Sequence, residues 1–292
     1  MHEKLNGQFG LPGLRFEPGN GGLIRAIADS TLATGELYLQ GAHVTSWCPV
    51  GQKPVLWASR ASNFERGKPI RGGIPICFPW FGPNEMKPTA PAHGHARLVE
   101  WQIAETRMTN EGGIAIRLET RIDSFDLSIQ VEFGSVLRMT LRTQLPLNVA
   151  SSESFEDALH TYFSVSDVRS ISIAGLESTG FIDKVENAAR KPAAGVPITI
   201  VGETDRVYVD TLCDCVLKDD GMNRAIRVSK SGSNSTVIWN PWIDKSKRMV
   251  DFGDEEWREM VCIETANVLS NRIELSPGQS HSTTTVIALE TR

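Results

Sequence analysis

Six stretches of the chain hold residues whose types and spacing suit chemistry. Glu264 lies in VCIETAN (261–267), among apolar Val261, Ile263 and Ala266. A carboxylate in such a strand costs free energy unless paired or used, and burial raises its pKa towards that of a base working near neutrality. A glutamate on the wet face of an edge strand is the plainer alternative. His160 stands in FEDALHTYFSV (155–165) near Tyr162 and Phe163. Imidazole titrates near working pH and suits acid or base catalysis, although strand histidines are often hydrogen-bonded core groups. Residues 91–97, PAHGHAR, bring His93, His95 and Arg97 within five positions. An extended backbone would put all three on one face, as an anion pocket, a metal site through His93 and His95, or a neutral loop. In RGGIPICFPWFG (71–82), Arg71 suits bidentate capture of a phosphate or carboxylate, the two glycines admit close backbone approach, and Trp80 and Phe81 offer flat apolar faces. A structural loop with a surface arginine has the same pattern. Asp205 in TDRVYV (204–209) suits sugar hydroxyls or a solvated turn. Trp239 in WNPW (239–242) suits stacking on a sugar or core packing; Lys245, Lys247 and Arg248 behind it read as a solvated basic turn.

Strands are the elements available to position these groups. Leu127, Ile129, Val131 and Phe133 alternate with polar residues; 114–122 and 137–141 do the same, with turns at Asp123-Ser124 and Gly134-Ser135. Period two with one polar face marks half-buried antiparallel strands, here a meander. Further strands are expected at 36–40, 43–47, 98–107, 205–209, 214–218, 225–230, 235–239, 259–266 and 283–290. Helix is scarce, its best piece being Asp254 to Met260 with acidic residues in the first turn. The expectation is an all-β fold, a large antiparallel β-sandwich in one domain over 1–292, with the weakest pattern in 1–34. The long segment 60–97 has the length of a functional loop.

The chain has 292 residues, of which 22% are charged and 40% hydrophobic, with net charge −5. That apolar fraction excludes disorder as the main state, and the acidic balance argues against nucleic-acid or membrane-surface binding. The most apolar stretch, Ile74 to Phe81, carries two prolines and falls far short of the ~20 residues of a membrane span. The first residues have no apolar signal core, and five cysteines make no disulfide framework, so a cytoplasmic protein is expected. On that basis Asn234-Ser235-Thr236 is a chance match to a glycosylation acceptor. Cys213 and Cys215 form a CxC without a second ligand pair at metal-site spacing and read as reduced thiols.

Taken in order, RGGIPICFPWFG, HGHAR, ALHTYF, TDRVY, WNPW…DFGDEEW and VCIET resemble the D-hexose-6-phosphate mutarotases, the glucose-6-phosphate 1-epimerases of the galactose-mutarotase-like superfamily. The resemblance is collinear from about Gly35 to the C-terminus. It implies the superfamily's large β-sandwich, with His160 and Glu264 catalytic and Arg71, His93, Arg97 and Asp205 binding substrate, the two arginines near the phosphate. Trp80 and Trp239 are candidates for stacking on the sugar. Family members can have a glutamine before HG; here it is Ala92, which removes one side-chain contact, and His95 occupies a variable position with no role carried over.

The implied reaction is interconversion of α and β anomers, with Glu264 as base on the C1 hydroxyl and His160 as acid to the ring oxygen. No redox step occurs, so no cofactor is expected, and no metal. The expected partner is a small-molecule hexose 6-phosphate, with no nucleic acid, no membrane and a monomeric chain. Three rival readings are an aldose 1-epimerase on free hexoses, a non-catalytic carbohydrate-binding protein, and a glycoside hydrolase. The last needs a second carboxylate, for which Asp205 is the one candidate.

Overall fold

The alternation at 114–144 makes three long strands, Ile114–Ile122, Phe125–Phe133 and Val136–Gln144, paired antiparallel. Their register lines up Leu118, Ile129 and Leu141 in one apolar row that Thr283 continues. In the computed structural model, which describes residues 1–290, this meander supplies three strands of an eight-stranded antiparallel sheet. The sheet is completed by Gln102–Met108 at one edge and, on the other side, by Ser280–Glu290, Arg224–Ser231, Cys215–Asp219 and Ile171–Ala174.

A second eight-stranded sheet carries most of the chemistry-bearing residues. Its central strands are Thr204–Val209, Ser235–Asn240 and Met260–Asn267. Asp157–Leu159 and Tyr162–Ser164 both pair with Met260–Asn267, and Ile76–Cys77 from the long 60–97 segment closes that edge. Met260–Asn267 is buried along its whole length, as the neighbour of strands on both sides.

The N-terminal residues build a four-stranded sheet, Leu14–Pro18, Ile24–Asp29, Ala33–Tyr38 and His43–Pro49. It lies against the meander. A Cβ at Gly35 would meet the Phe133 ring at 2.2 Å, and Trp47 Nε1 donates to the Gly134 carbonyl at 3.1 Å. One apolar core runs through these three sheets and a two-stranded one, Glu153–Phe155 with Ile273–Leu275, from Leu14 to Ile287. A smaller one, including Cys77, Ala158, Val207, Val237 and Ala266, fills the other face of the second sheet.

The all-β expectation stands, and every expected strand appears within a few residues of its place. Two details differ. The helix expected at Asp254 to Met260 is a 3₁₀ turn, Glu256–Glu259. Its acidic residue points inward: Glu256 accepts from Ser59 Oγ at 2.6 Å and from the backbone N–H of Arg60 and Gly253 at 3.0 Å each, so it fastens a distant loop. Short α-helices form instead at His2–Phe9 and Trp242–Ser246. No helix among the described residues is long and apolar enough to cross a membrane.

Candidate active site

The register of the second sheet assembles the site. Leu159 faces Thr265 and Tyr162 faces Cys262, so counting inward from either side sets His160 opposite Glu264. On the other flank Val237 pairs with Glu264 and Trp239 with Cys262, while Asp205 pairs with Trp239. Cross-strand partners share a face, as do residues two apart on a strand. One face therefore gathers Asp205, Trp239, Tyr162, Val237, Glu264 and His160, the floor of a cleft of about 250 Å³.

At its centre His160 Nε2 lies 3.4 Å from Glu264 Oε1, with the side chains only 8% and 1% exposed. That separation is long for a hydrogen bond. Glu264 Oε2 and His160 Nδ1 are buried without a partner. Such under-satisfied polar atoms cost stability, and in a cleft they are what an incoming ligand can satisfy. Burial pushes the Glu264 carboxyl well above its usual pKa, helped by the negative charge of Asp205 and opposed by Lys184 and Arg97. Burial pushes His160 well below its usual value, with His93, Arg97 and Arg71 acting in the same direction. Tyr162 lies flat against the imidazole, ring centroids 4.7 Å apart and planes 8° apart.

Around the floor stand three cations, Arg71, Lys184 and Lys245. Arg71 is engaged within the protein, donating through Nε and Nη2 to Asp251 and through Nη1 to the Tyr162 hydroxyl at 3.0 Å. Burial opposes its charge, but Tyr162 and Asp251 outweigh that and raise its pKa. Lys245 donates to Glu203 Oε1 at 3.0 Å and lies 4.0 Å from Asp205 Oδ2. Lys184 sits 5.4 Å from the centre of the Phe81 ring. Burial raises the Asp205 pKa while Lys184 and Lys245 pull it down.

His93, His95 and Arg97 do not share a face. His93 has φ +63° and Gly94 φ +74°, so the backbone is not extended there. Gly94 is required: a Cβ on it would lie 2.0 Å from the Phe78 carbonyl oxygen. His93 turns into the cleft, edge-on to Phe81 and His160, with Nδ1 accepting the Gly82 N–H at 3.2 Å. Burial and the nearby Arg97, Lys184 and Arg71 keep its pKa well below the usual value, and so keep it neutral. His95 instead meets the edge of Trp80, so the HxH pair does not converge on a metal.

Of the eight residues singled out in the sequence, His160, Glu264, Arg71, His93, Asp205 and Trp239 meet at this cleft. Arg97 is not among its lining residues; it donates to the Ala92 carbonyl at 2.7 Å, and its Nε is buried without a partner. Trp80 lines a neighbouring groove with Pro79, Met86 and Arg272, and its indole N–H donates to the Pro91 carbonyl. Sequence reasoning missed Tyr162, Lys184 and Lys245. Tyr162 shares strand parity with His160, a signal that was present. Lys245 reads in the sequence as part of a solvated turn, because the helix Trp242–Ser246 that aims it inward is too short to show a period.

An aldose 1-epimerase family model matches residues 26–288. The chain is 35% identical over 243 residues to the Escherichia coli K12 protein named "Putative glucose-6-phosphate 1-epimerase", covering 82% of each chain. A Salmonella typhimurium protein of the same name is 33% identical, with 82% of this chain and 81% of that one covered. The crystal structure of a "putative mutarotase" from Salmonella typhimurium superimposes with a TM-score of 0.88 at 29% identity, covering 97% of this chain and 95% of that one. The family model that spans residues 26–288, together with relatives 33–35% identical over 82% of the chain, shows that this chain belongs to the aldose 1-epimerase family of carbohydrate isomerases.

Proposed function

We propose that the chain interconverts the α and β anomers of D-hexose 6-phosphates, with Glu264 and His160 as its acid–base pair. The observation that carries this is the 3.4 Å pairing of those two buried groups on the floor of a cleft ringed by cations. Relatives named for glucose 6-phosphate support the substrate. The cations support it too, because a phosphate carries about −1.5 to −2 charge at pH 7.

The opposed pKa shifts let the pair hold one proton between them over a wide pH range. With that proton on His160, ionised Glu264 accepts the proton of the C1 hydroxyl while His160 gives its proton to the ring oxygen. The C1–O5 bond breaks and leaves an aldehyde at C1 and a hydroxyl at C5. Rotation about C1–C2 turns the other carbonyl face to O5. Closure reverses the transfers: His160 takes the O5 proton and Glu264 returns one to the C1 oxygen. In the open-chain intermediate Glu264 is protonated and His160 neutral, the distribution that burial favours, so the environment stabilises the intermediate. Neutral His93 and Asp205 hold sugar hydroxyls, and Trp239 offers an apolar wall. The reading needs one chain only and a reducing, cytoplasmic setting, in keeping with five free thiols.

One observation favours free hexoses as a second reading. The arginine expected to hold phosphate at position 71 is tied to Asp251, and Arg97 does not line the cleft. Anomer-exchange rates on glucose 6-phosphate and glucose, measured with the same enzyme, separate the two. A kcat/KM at least ~10-fold higher for the phosphorylated sugar, about one charge-assisted hydrogen bond's worth, supports the phosphate reading. Equal or reversed values overturn it.

A further inference from the structure

We propose that the cleft floor is also a binding site for Zn2+ and similar soft divalent cations, which inhibit the enzyme by occupying its acid–base pair. The ligands are His160, Glu264 and a third residue with no part in the anomer chemistry, Cys262. One ligand atom from each, an imidazole nitrogen, a carboxylate oxygen and the thiol sulfur, lie within 4.8 Å of one another, and all three residues are buried. The strand register explains why they converge: Cys262 and Glu264 are two apart on one strand, on the same face, and His160 stands across from Glu264.

The inference rests on geometry and donor chemistry together. Zn2+ takes tetrahedral nitrogen, sulfur and oxygen ligands at ~2.0–2.3 Å, which puts neighbouring nitrogen and oxygen ligands about 3.3–3.4 Å apart. His160 Nε2 and Glu264 Oε1 are 3.4 Å apart, a distance that makes a poor hydrogen bond but suits a tetrahedral edge. Glu264 Oε2 is buried with no partner, so the carboxylate has lone pairs to give. Three protein ligands leave a fourth position facing the cleft, the pattern of open zinc sites. A thiolate and an imidazole select Zn2+ or Cd2+ over the oxygen-seeking Mg2+ and Ca2+. Binding releases two protons to solvent, that of the thiol and the one that His160 and Glu264 share, and takes up the lone pairs that proton transfer requires. The metal therefore blocks turnover and supports no step of it.

The test uses the full-length enzyme and its Cys262→Ala variant, with circular dichroism to establish that the variant is folded. Cd2+ is titrated into both without substrate, and the ultraviolet thiolate-to-cadmium absorption is read. The wild type is expected to develop that band at one equivalent, and Cys262→Ala to lose it. Zn2+ is then titrated into the anomer-exchange assay. Wild-type exchange is expected to fall at least tenfold and to recover with a chelator. Loss of Cys262 should weaken inhibition by roughly tenfold or more, at least the cost of losing an outer-shell partner. Basal exchange in Cys262→Ala should match the wild type. A wild-type enzyme with no cadmium band overturns the site, as does equal Zn2+ sensitivity in both proteins. The cadmium band needs no turnover, so failure of the proposed hexose-phosphate reaction is read separately, as absent exchange in metal-free enzyme. A folding failure of Cys262→Ala is answered with Cys262→Ser, which keeps the shape and removes the soft donor.

Discussion

Two residues, His160 and Glu264, carry the account, and their proton is its variable. Replacing a positioned acid or base typically costs 10²–10⁴-fold in rate, so Glu264→Gln and His160→Ala should each lose turnover on that scale. Binding should survive, since the surrounding cations and Asp205 remain. The pH profile tests the pair more finely. Asp205 raises the Glu264 pKa through its negative charge. In Asp205→Asn that charge is gone, Glu264 ionises more readily, and the one-proton form of the pair disappears at a lower pH. The alkaline limb of kcat/KM should therefore move to lower pH, and an unmoved or raised limb contradicts the assignment. Both key residues were legible in the sequence as residue types in strand-like runs. Their partnership as base and acid came from the family resemblance and not from the pattern of residues, because only the register of two strands distant in the chain sets His160 opposite Glu264.

That register has its own fastening, at the level of the strands. Asn267 at the end of Met260–Asn267 donates through Nδ2 to Asp157 Oδ1 at 2.9 Å, to the Gly232 carbonyl at 2.9 Å and to Thr283 Oγ1 at 3.0 Å. Thr283 Oγ1 donates to Asp157 Oδ2 at 2.6 Å. The network is buried and ties Asp157–Leu159, the strand that ends directly before His160, to its neighbour and to the large sheet. Asn267→Ala leaves the Asp157 carboxylate short of a donor. It should cost about 1–3 kcal/mol in denaturant unfolding and lower kcat by letting His160 drift. Wild-type stability in that variant would mean that the strand is held otherwise. Elements with a clear period, such as Phe125–Phe133, were readable to within a residue or two. Trp242–Ser246 and Glu256–Glu259 were not, since pieces this short show no period and tertiary contacts such as Glu256 with Ser59 decide their shape.

On the scale of the whole molecule, the fold holds three histidines in neutral form, His43 and His160 buried and His93 partly buried. His43 is fully buried, its Nε2 hydrogen-bonded to the Gly72 carbonyl at 2.7 Å, and burial lowers its pKa from 6.5 to about 4. His93 and His160 are shifted the same way. A histidine depressed in the folded state contributes stability that is complete above its unfolded pKa and is lost as pH falls towards the folded one. The melting temperature should accordingly drop as pH falls from 6.5 to about 4, and His43→Gln should show a shallower drop. An unchanged slope in that variant assigns the acid loss to other groups. At this scale the all-β architecture was legible from alternation alone. The N-terminal sheet was legible only in part, because Leu14–Pro18 and Ile24–Asp29 sit in a glycine-rich stretch with weak patterning. Six residues of the cleft were legible, but its lysines were not: nothing in the sequence singles out Lys184, and Lys245 reads as part of a solvated turn.

The most direct test of the central claim is anomer exchange of glucose 6-phosphate followed by magnetisation-transfer NMR, in a buffer free of phosphate, on wild type, His160→Ala and Glu264→Gln side by side. The account predicts exchange well above the spontaneous rate for the wild type and a return to the spontaneous rate in both variants. Wild-type exchange at the spontaneous rate, or undiminished exchange in either variant, would contradict it.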